Sequence, residues 1–99
     1  MKQYKVRLLP SAHDDLKHAR EWYRQHNPIL PKRFAQQVNL SVARIRETPF
    51  AHTIRYKEVR IATINIFPYA IHYLLTDNTV VIIAIHHTAI SPEKWIERL

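Results

Sequence analysis

The chain has no glycine in its 99 residues. Glycine enters the left-handed backbone region without steric cost, so turns here must rely on proline, asparagine and aspartate. The same absence removes the glycine-rich phosphate cradles of P-loop and dinucleotide-binding folds, and with them the commonest nucleotide-binding readings. Six prolines do most of the punctuation, and the hydrophobic pattern between them defines the elements.

Tyr4-Lys5-Val6-Arg7-Leu8-Leu9 alternates as a strand and ends at Pro10. Ser11-Ala12-His13-Asp14 then reads as a capping box, with Ser11 accepting from the amide of Asp14 and Asp14 reaching back. The helix so opened runs to Gln25 or His26, with Leu16, Ala19 and Tyr23 on one face and Trp22 beside them. Asn27-Pro28-Ile29-Leu30-Pro31 is a connector. A second helix runs to Glu47 and is stopped by Thr48-Pro49. Its apolar stripe is Ala35, Val38, Val42 and Ile45, flanked by Phe34, and Lys32, Arg33, Arg44 and Arg46 lie off it. A connector this short predicts an antiparallel helical hairpin.

Beyond Pro49 the period falls to two. Residues 54–57 and 59–66 read as extended, and Tyr69 to Leu75 and Thr79 to His86 form a hairpin around Asp77-Asn78. Every residue from Val80 to Ile85 is apolar, so this strand is expected to be central with both faces covered. Ser91-Pro92-Glu93 is helix-start chemistry, and Trp95 is expected to dock the short tail on the body. The fold class that follows is α+β in a single domain, residues 1–99, of order β-α-α-β-β-β-α. A helical hairpin packs on a small, mostly antiparallel, four-stranded sheet, with a short C-terminal helix.

Composition sets the partner class. The net charge is +7, which implies an anionic partner, either nucleic acid or an acidic protein segment. There is no cysteine, so disulfides and thiolate metal sites are excluded. The N-terminus carries no apolar signal segment and Val80 to Ile85 is too short to span a bilayer, so a soluble cytoplasmic protein is expected, without membrane contact. The seven histidines hold no H-x-x-x-H pair, and His86 and His87, adjacent on a strand, point to opposite faces. No metal and no cofactor are expected.

Metal-free RNA cleavage needs a base for the 2′-hydroxyl, an acid for the leaving oxygen and cations on the phosphate. Arg60 and His87 are the candidates, with Arg55, Tyr56 and Lys57 nearby in sequence. Each also has a structural reading, which is favoured. Arg60 serves as a solvated strand residue or a cap on an acidic group, and His87 as a hydrogen-bonded corner post. His72 is expected to be an exposed strand residue.

One ordered set of motifs goes further. Phe67-Pro68-Tyr69-x-Ile71-x-Tyr73, an aliphatic strand, and His87-Thr88-x-x-x-Pro92-x-x-Trp95 together resemble the signature of the ParE/RelE superfamily, toxins of type II toxin–antitoxin pairs, and the ParE branch most. Pro10-Ser11-Ala12-x-x-Asp15-Leu16, Trp22-Tyr23, Pro49 and Arg60 extend the resemblance over nearly the whole chain. Family members usually have a glycine shortly before the residue matched by Arg60, where this chain has Lys57-Glu58-Val59, and a polar residue at Ile90. The resemblance implies a non-enzymatic poison of DNA gyrase, of the kind tied to plasmid stabilisation. It implies neutralisation by a ParD-like antitoxin with a ribbon-helix-helix DNA-binding part, and no sequence-specific DNA binding by the toxin itself. Arg33, Arg44, Arg46, His87, Ile90 and Trp95 are the expected target or antitoxin contacts. The RelE branch implies the alternative, ribosome-dependent mRNA cleavage through Arg60 and His87.

Overall fold

The computed structural model of the chain describes residues 4–89. The expected C-terminal helix, Ile90 and Trp95 lie outside the described residues. The elements are β1 (Lys5–Leu8), α1 (Pro10–His26), α2 (Leu30–Glu47), β2 (Ile54–Tyr56), β3 (Val59–Thr63), β4 (Tyr69–Thr76) and β5 (Thr79–His87). The strands form one sheet in the order β1-β5-β4-β3-β2. β1 runs parallel to β5 and all other neighbours are antiparallel. The two helices share the core with one face of this sheet.

The sheet has five strands where the period-two pattern predicts four. The extra strand arises because the 54–66 stretch folds back at Lys57-Glu58, which brings Tyr56 opposite Val59. Lys57 sits at φ 47° there, the left-handed conformation a glycine would otherwise supply. β3 also stops at Thr63, short of the expected Ile66. The Ile64 N–H closes on the Tyr69 carbonyl at 2.9 Å, and Ile66 is thrown outward at φ 75°.

The helical hairpin turns on Asn27. Its Oδ1 accepts the Ile29 N–H at 2.9 Å and its carbonyl accepts the Leu30 N–H at 3.1 Å, so a local asparagine turn passes the chain from α1 to α2. Pro31, Phe34, Val38, Ser41 and Ile45 are the buried face of α2; Phe34 and Ser41 take the places expected for Ala35 and Val42, which are half-buried. Tyr23 of α1, Phe34 of α2 and Phe67 of the β3–β4 loop pack ring against ring, with centroids 5.1–5.4 Å apart.

The capping box is corrected by the structure. α1 begins two residues earlier, with Leu9 as N-cap in place of Ser11, Pro10 in the first turn and no side-chain cap bond. Ser11 instead donates its hydroxyl to the Ile83 carbonyl at 3.0 Å, and Asp15 accepts the Ile85 N–H at 3.0 Å. The reason lies in strand length. β1 reaches only as far as Ile82 on β5, while β5 continues to His87. Polar side chains of α1 therefore bond the β5 edge where a strand partner is missing.

β5 is buried on both sides, as its apolar run predicts, but its alternation slips once. His72 and Tyr73 of β4 face Ala84 and Ile82, leaving Ile83 as the extra residue of a bulge. Ile83 and Ala84 consequently share the outer cluster with Val59, while Ile82 and Ile85 both join the helix-side core.

Candidate functional site

Arg60 and His87 lie at opposite ends of the same stretch of sheet. Arg60 on β3 is paired with Tyr73, and His87 on β5 is paired with Tyr69. Four residues of β4 separate those partners, roughly 13 Å along the strand, and β4 itself lies between the two residues. The sheet therefore does not bring them together.

Each is committed locally. The Arg60 guanidinium donates to the His52 carbonyl at 2.6 Å and lies over the Phe50 ring, 5.2 Å from its centroid. Arg60 thus pins the loop that follows α2, a hydrogen-bond and cation–π clamp. His87 accepts the Ala89 N–H on Nδ1 at 3.1 Å and meets Tyr69 edge-on, centroids 5.3 Å apart. The Thr88 N–H donates to the Pro68 carbonyl at 2.8 Å. His87 is the hydrogen-bonded corner post at the end of β5.

Arg55 and Lys57 are exposed at the β2 edge, while Tyr56 turns inward and shares a 2.9 Å hydrogen bond with His72 Nδ1. His72 is fully buried, against the sequence expectation of exposure, because the outer face of the sheet at β4 is itself covered. His86 is also buried, its ring 5.4 Å from that of His72. Among the described residues, no group of three or more histidine or acidic side chains is arranged to hold a metal ion.

The basic face of α2 divides in two. Arg46 turns toward the start of β1 and donates to the Tyr4 carbonyl at 2.9 Å. Arg33 and Arg44 are exposed, and their spacing of about three helical turns puts them on one side. The residues between them on that side are Gln36, Gln37 and Leu40, and Leu40 is 49% exposed. Leu40 falls outside the Val38–Val42–Ile45 spacing, so its exposure was legible from the sequence. Ile66 was not, because period two places it with Ile64, yet it is 82% exposed.

The helical hairpin on one face of this mixed sheet has a counterpart among solved structures. It matches a chain of the chromosomal ParDE TA system from P. aeruginosa with a TM-score of 0.77 at 14% identity, over 88% of this chain and 98% of that one. No curated protein matches the chain in sequence. The family model for the ParE toxin of the type II toxin–antitoxin system, parDE, matches residues 6–92, and the chain belongs to that family. It is a toxin of the type II toxin–antitoxin, parDE class. Among the described residues, no helix is long and apolar enough to cross a membrane.

Proposed function

We propose that this toxin acts in the cytoplasm as a non-enzymatic poison of DNA gyrase. It binds the enzyme while DNA is cleaved and shifts the cleavage equilibrium toward the broken state. One observation carries the reading over ribonuclease activity. Arg60 and His87 are each tied to nearby backbone and stand at opposite ends of a β4 segment, so they do not form an acid–base pair around one phosphate. The ParD-type antitoxin is of the ribbon-helix-helix kind, and a chain of net charge +7 suits an acidic antitoxin tail. Target contact is assigned to the C-terminal segment with His87, Ile90 and Trp95.

The test is a cleavage reaction with purified toxin, gyrase, supercoiled plasmid and ATP. Linear, gyrase-linked DNA should accumulate. It should persist with an Arg60→Ala protein that remains folded, and disappear with Trp95→Ala. No gyrase-linked DNA from a preparation that arrests growth would refute the reading.

A further inference from the structure

The positive charge of this chain is gathered on one element. Between Asp15 and Glu47 there are seven Lys/Arg and one acidic residue, Glu21. The remainder holds eight Lys/Arg against seven Asp/Glu and is close to neutral. That stretch is the helical hairpin, α1 from Leu16 onward and nearly all of α2. The hairpin therefore carries almost the whole of the +7 net charge. A field concentrated in this way draws a polyanion to one side of the molecule.

Helix geometry narrows the place. Lys17, Arg20 and Arg24 are exposed and recur at i, i+3 and i+7, one stripe of α1 about 10 Å long. They lie on the flank away from Asp15, His18 and Trp22, which line a cavity with Ile85 at the end of β5. On α2, Lys32, Gln36, Asn39 and Ala43 form a second exposed stripe, at i, i+4, i+7 and i+11. Arg46 on the same flank reaches the Tyr4 carbonyl beside β1, the side of the sheet on which α1 stands. The helices are antiparallel, joined by three residues, and Tyr23 packs on Phe34 between them. The two stripes therefore border one outward furrow, with Arg24 and Lys32 at its connector end. Arg24 pairs with Glu21 through half-exposed side chains, a contact of little strength in water. Among the described residues, Lys17, Arg20 and Lys32 have no carboxylate partner.

We infer that this furrow binds the backbone of duplex DNA, without regard to sequence. The cations select a polyanion, and the other residues select among polyanions. Gln36 and Asn39 offer amide donors for phosphate oxygens, and the remaining exposed residue of the α2 stripe, Ala43, is small. The large exposed apolar residues, Trp22, Leu40 and Ile66 among them, lie outside both stripes. An amphipathic protein segment would find nothing in the furrow against which to bury its apolar side. A single strand would find no aromatic ring on which to stack its bases. The span from Lys17 to Arg24, about 10 Å, matches about three nucleotide steps along a duplex. The choice of DNA over duplex RNA rests on the proposed action on gyrase: a toxin held on that enzyme while DNA is cleaved has a DNA duplex beside it.

The experiment is fluorescence anisotropy of a short labelled DNA duplex of arbitrary sequence, titrated with the full-length toxin. With Lys17, Arg20, Arg24 and Lys32 on phosphates, affinity should fall roughly a hundredfold between about 50 and 200 mM salt. The double variant Lys17→Glu, Arg20→Glu should bind at least about tenfold more weakly and lose about 2 from the log–log salt slope. The control pair Lys5→Glu, Arg7→Glu makes the same change in net charge at exposed positions of β1. It should weaken binding less than about threefold, because charges away from the furrow are screened. Circular dichroism melting verifies that both double variants fold. Equal weakening by the two pairs would overturn the proposal, since net charge alone would then account for binding. So would a duplex left unbound at about 50 mM salt. Tighter binding of a single strand or of duplex RNA would refute the choice of duplex DNA. Displacement of the duplex by polyglutamate at equal charge would give the furrow to an acidic protein segment instead. A parent toxin that binds the DNA duplex through the furrow but leaves gyrase untouched would remove the gyrase reading alone.

Discussion

The hydroxyl of Tyr73, at the centre of β4, donates to the carbonyl of Pro49 at 2.6 Å. Tyr73 is fully buried, and its neighbour across β3, Arg60, holds His52 of the same loop. Two adjacent strands thus fasten the loop that ends α2. Tyr73→Phe keeps the ring packing but leaves the buried carbonyl without its donor. It should lower stability by about 1–3 kcal/mol, read from urea unfolding. Gyrase poisoning should be unaffected below the melting temperature, because the bond serves the scaffold.

High pH should act through the same hydroxyl. Burial raises the pKa values of Tyr23, Tyr69 and Tyr73 above the usual 10.0; the charge of Tyr69 adds to the effect on Tyr23, and the Arg60 cation partly opposes it on Tyr73. The neutral phenol is therefore the form the folded state prefers. Above pH 10 the unfolded chain loses these protons first, so it binds fewer than the folded one and stability falls with rising pH. The contribution is complete below that pH and is lost as pH passes the folded-state values. Melting temperature measured from pH 8 upward should show this decline, and Tyr73→Phe should make it shallower. A curve of unchanged slope in the variant would remove Tyr73 from the cause.

Asp15 carries an equivalent load at the other edge of the sheet, where its carboxylate accepts the Ile85 N–H at 3.0 Å. Removing it leaves a part-buried amide unpaired beyond the end of β1. Asp15→Ala should cost about 1–3 kcal/mol in chemical denaturation. Asp15→Asn, which retains an acceptor oxygen, should recover part of that loss. Equal losses from the two substitutions would show that charge, and not the hydrogen bond, holds α1 to β5.

These contacts mark where sequence pattern stops being informative. Ser11 and Asp15 are cap-type residues at the start of a helix, and local rules assign them to the helix's own amides. Their true partners, Ile83 and Ile85, are some seventy residues away, and only the unequal lengths of β1 and β5 reveal them. The helices, the final hairpin and the central place of Val80 to Ile85 were legible because they follow from local periodicity. The fold-back at Lys57 was hidden by the lack of a glycine or asparagine signal, and the slip in alternation at Ile83 by a run apolar at every position. For the candidate site, the exposure of Arg33 and Arg44 was readable from the α2 pattern. The diversion of Arg46 to Tyr4 was not, because it depends on where β1 begins. Tertiary placement also decides Arg60 and His87, two residues of suitable chemistry that the strand register sets far apart.

Ile66 offers a test in which backbone strain is separated from packing. A left-handed conformation costs a residue with a branched side chain about 1–2 kcal/mol, and asparagine avoids much of this through local hydrogen bonding. Ile66→Asn should therefore raise stability by up to about 1 kcal/mol, a few degrees in melting temperature for a chain of this size. The side chain is 82% exposed, so little burial is lost in exchange. Most substitutions lower stability, and one that removed a packed side chain would do so here. Thermal melts of parent and variant decide it. A later melt assigns the cost to the backbone of the turn, and a variant that melts earlier would show that the turn prefers isoleucine for its own packing.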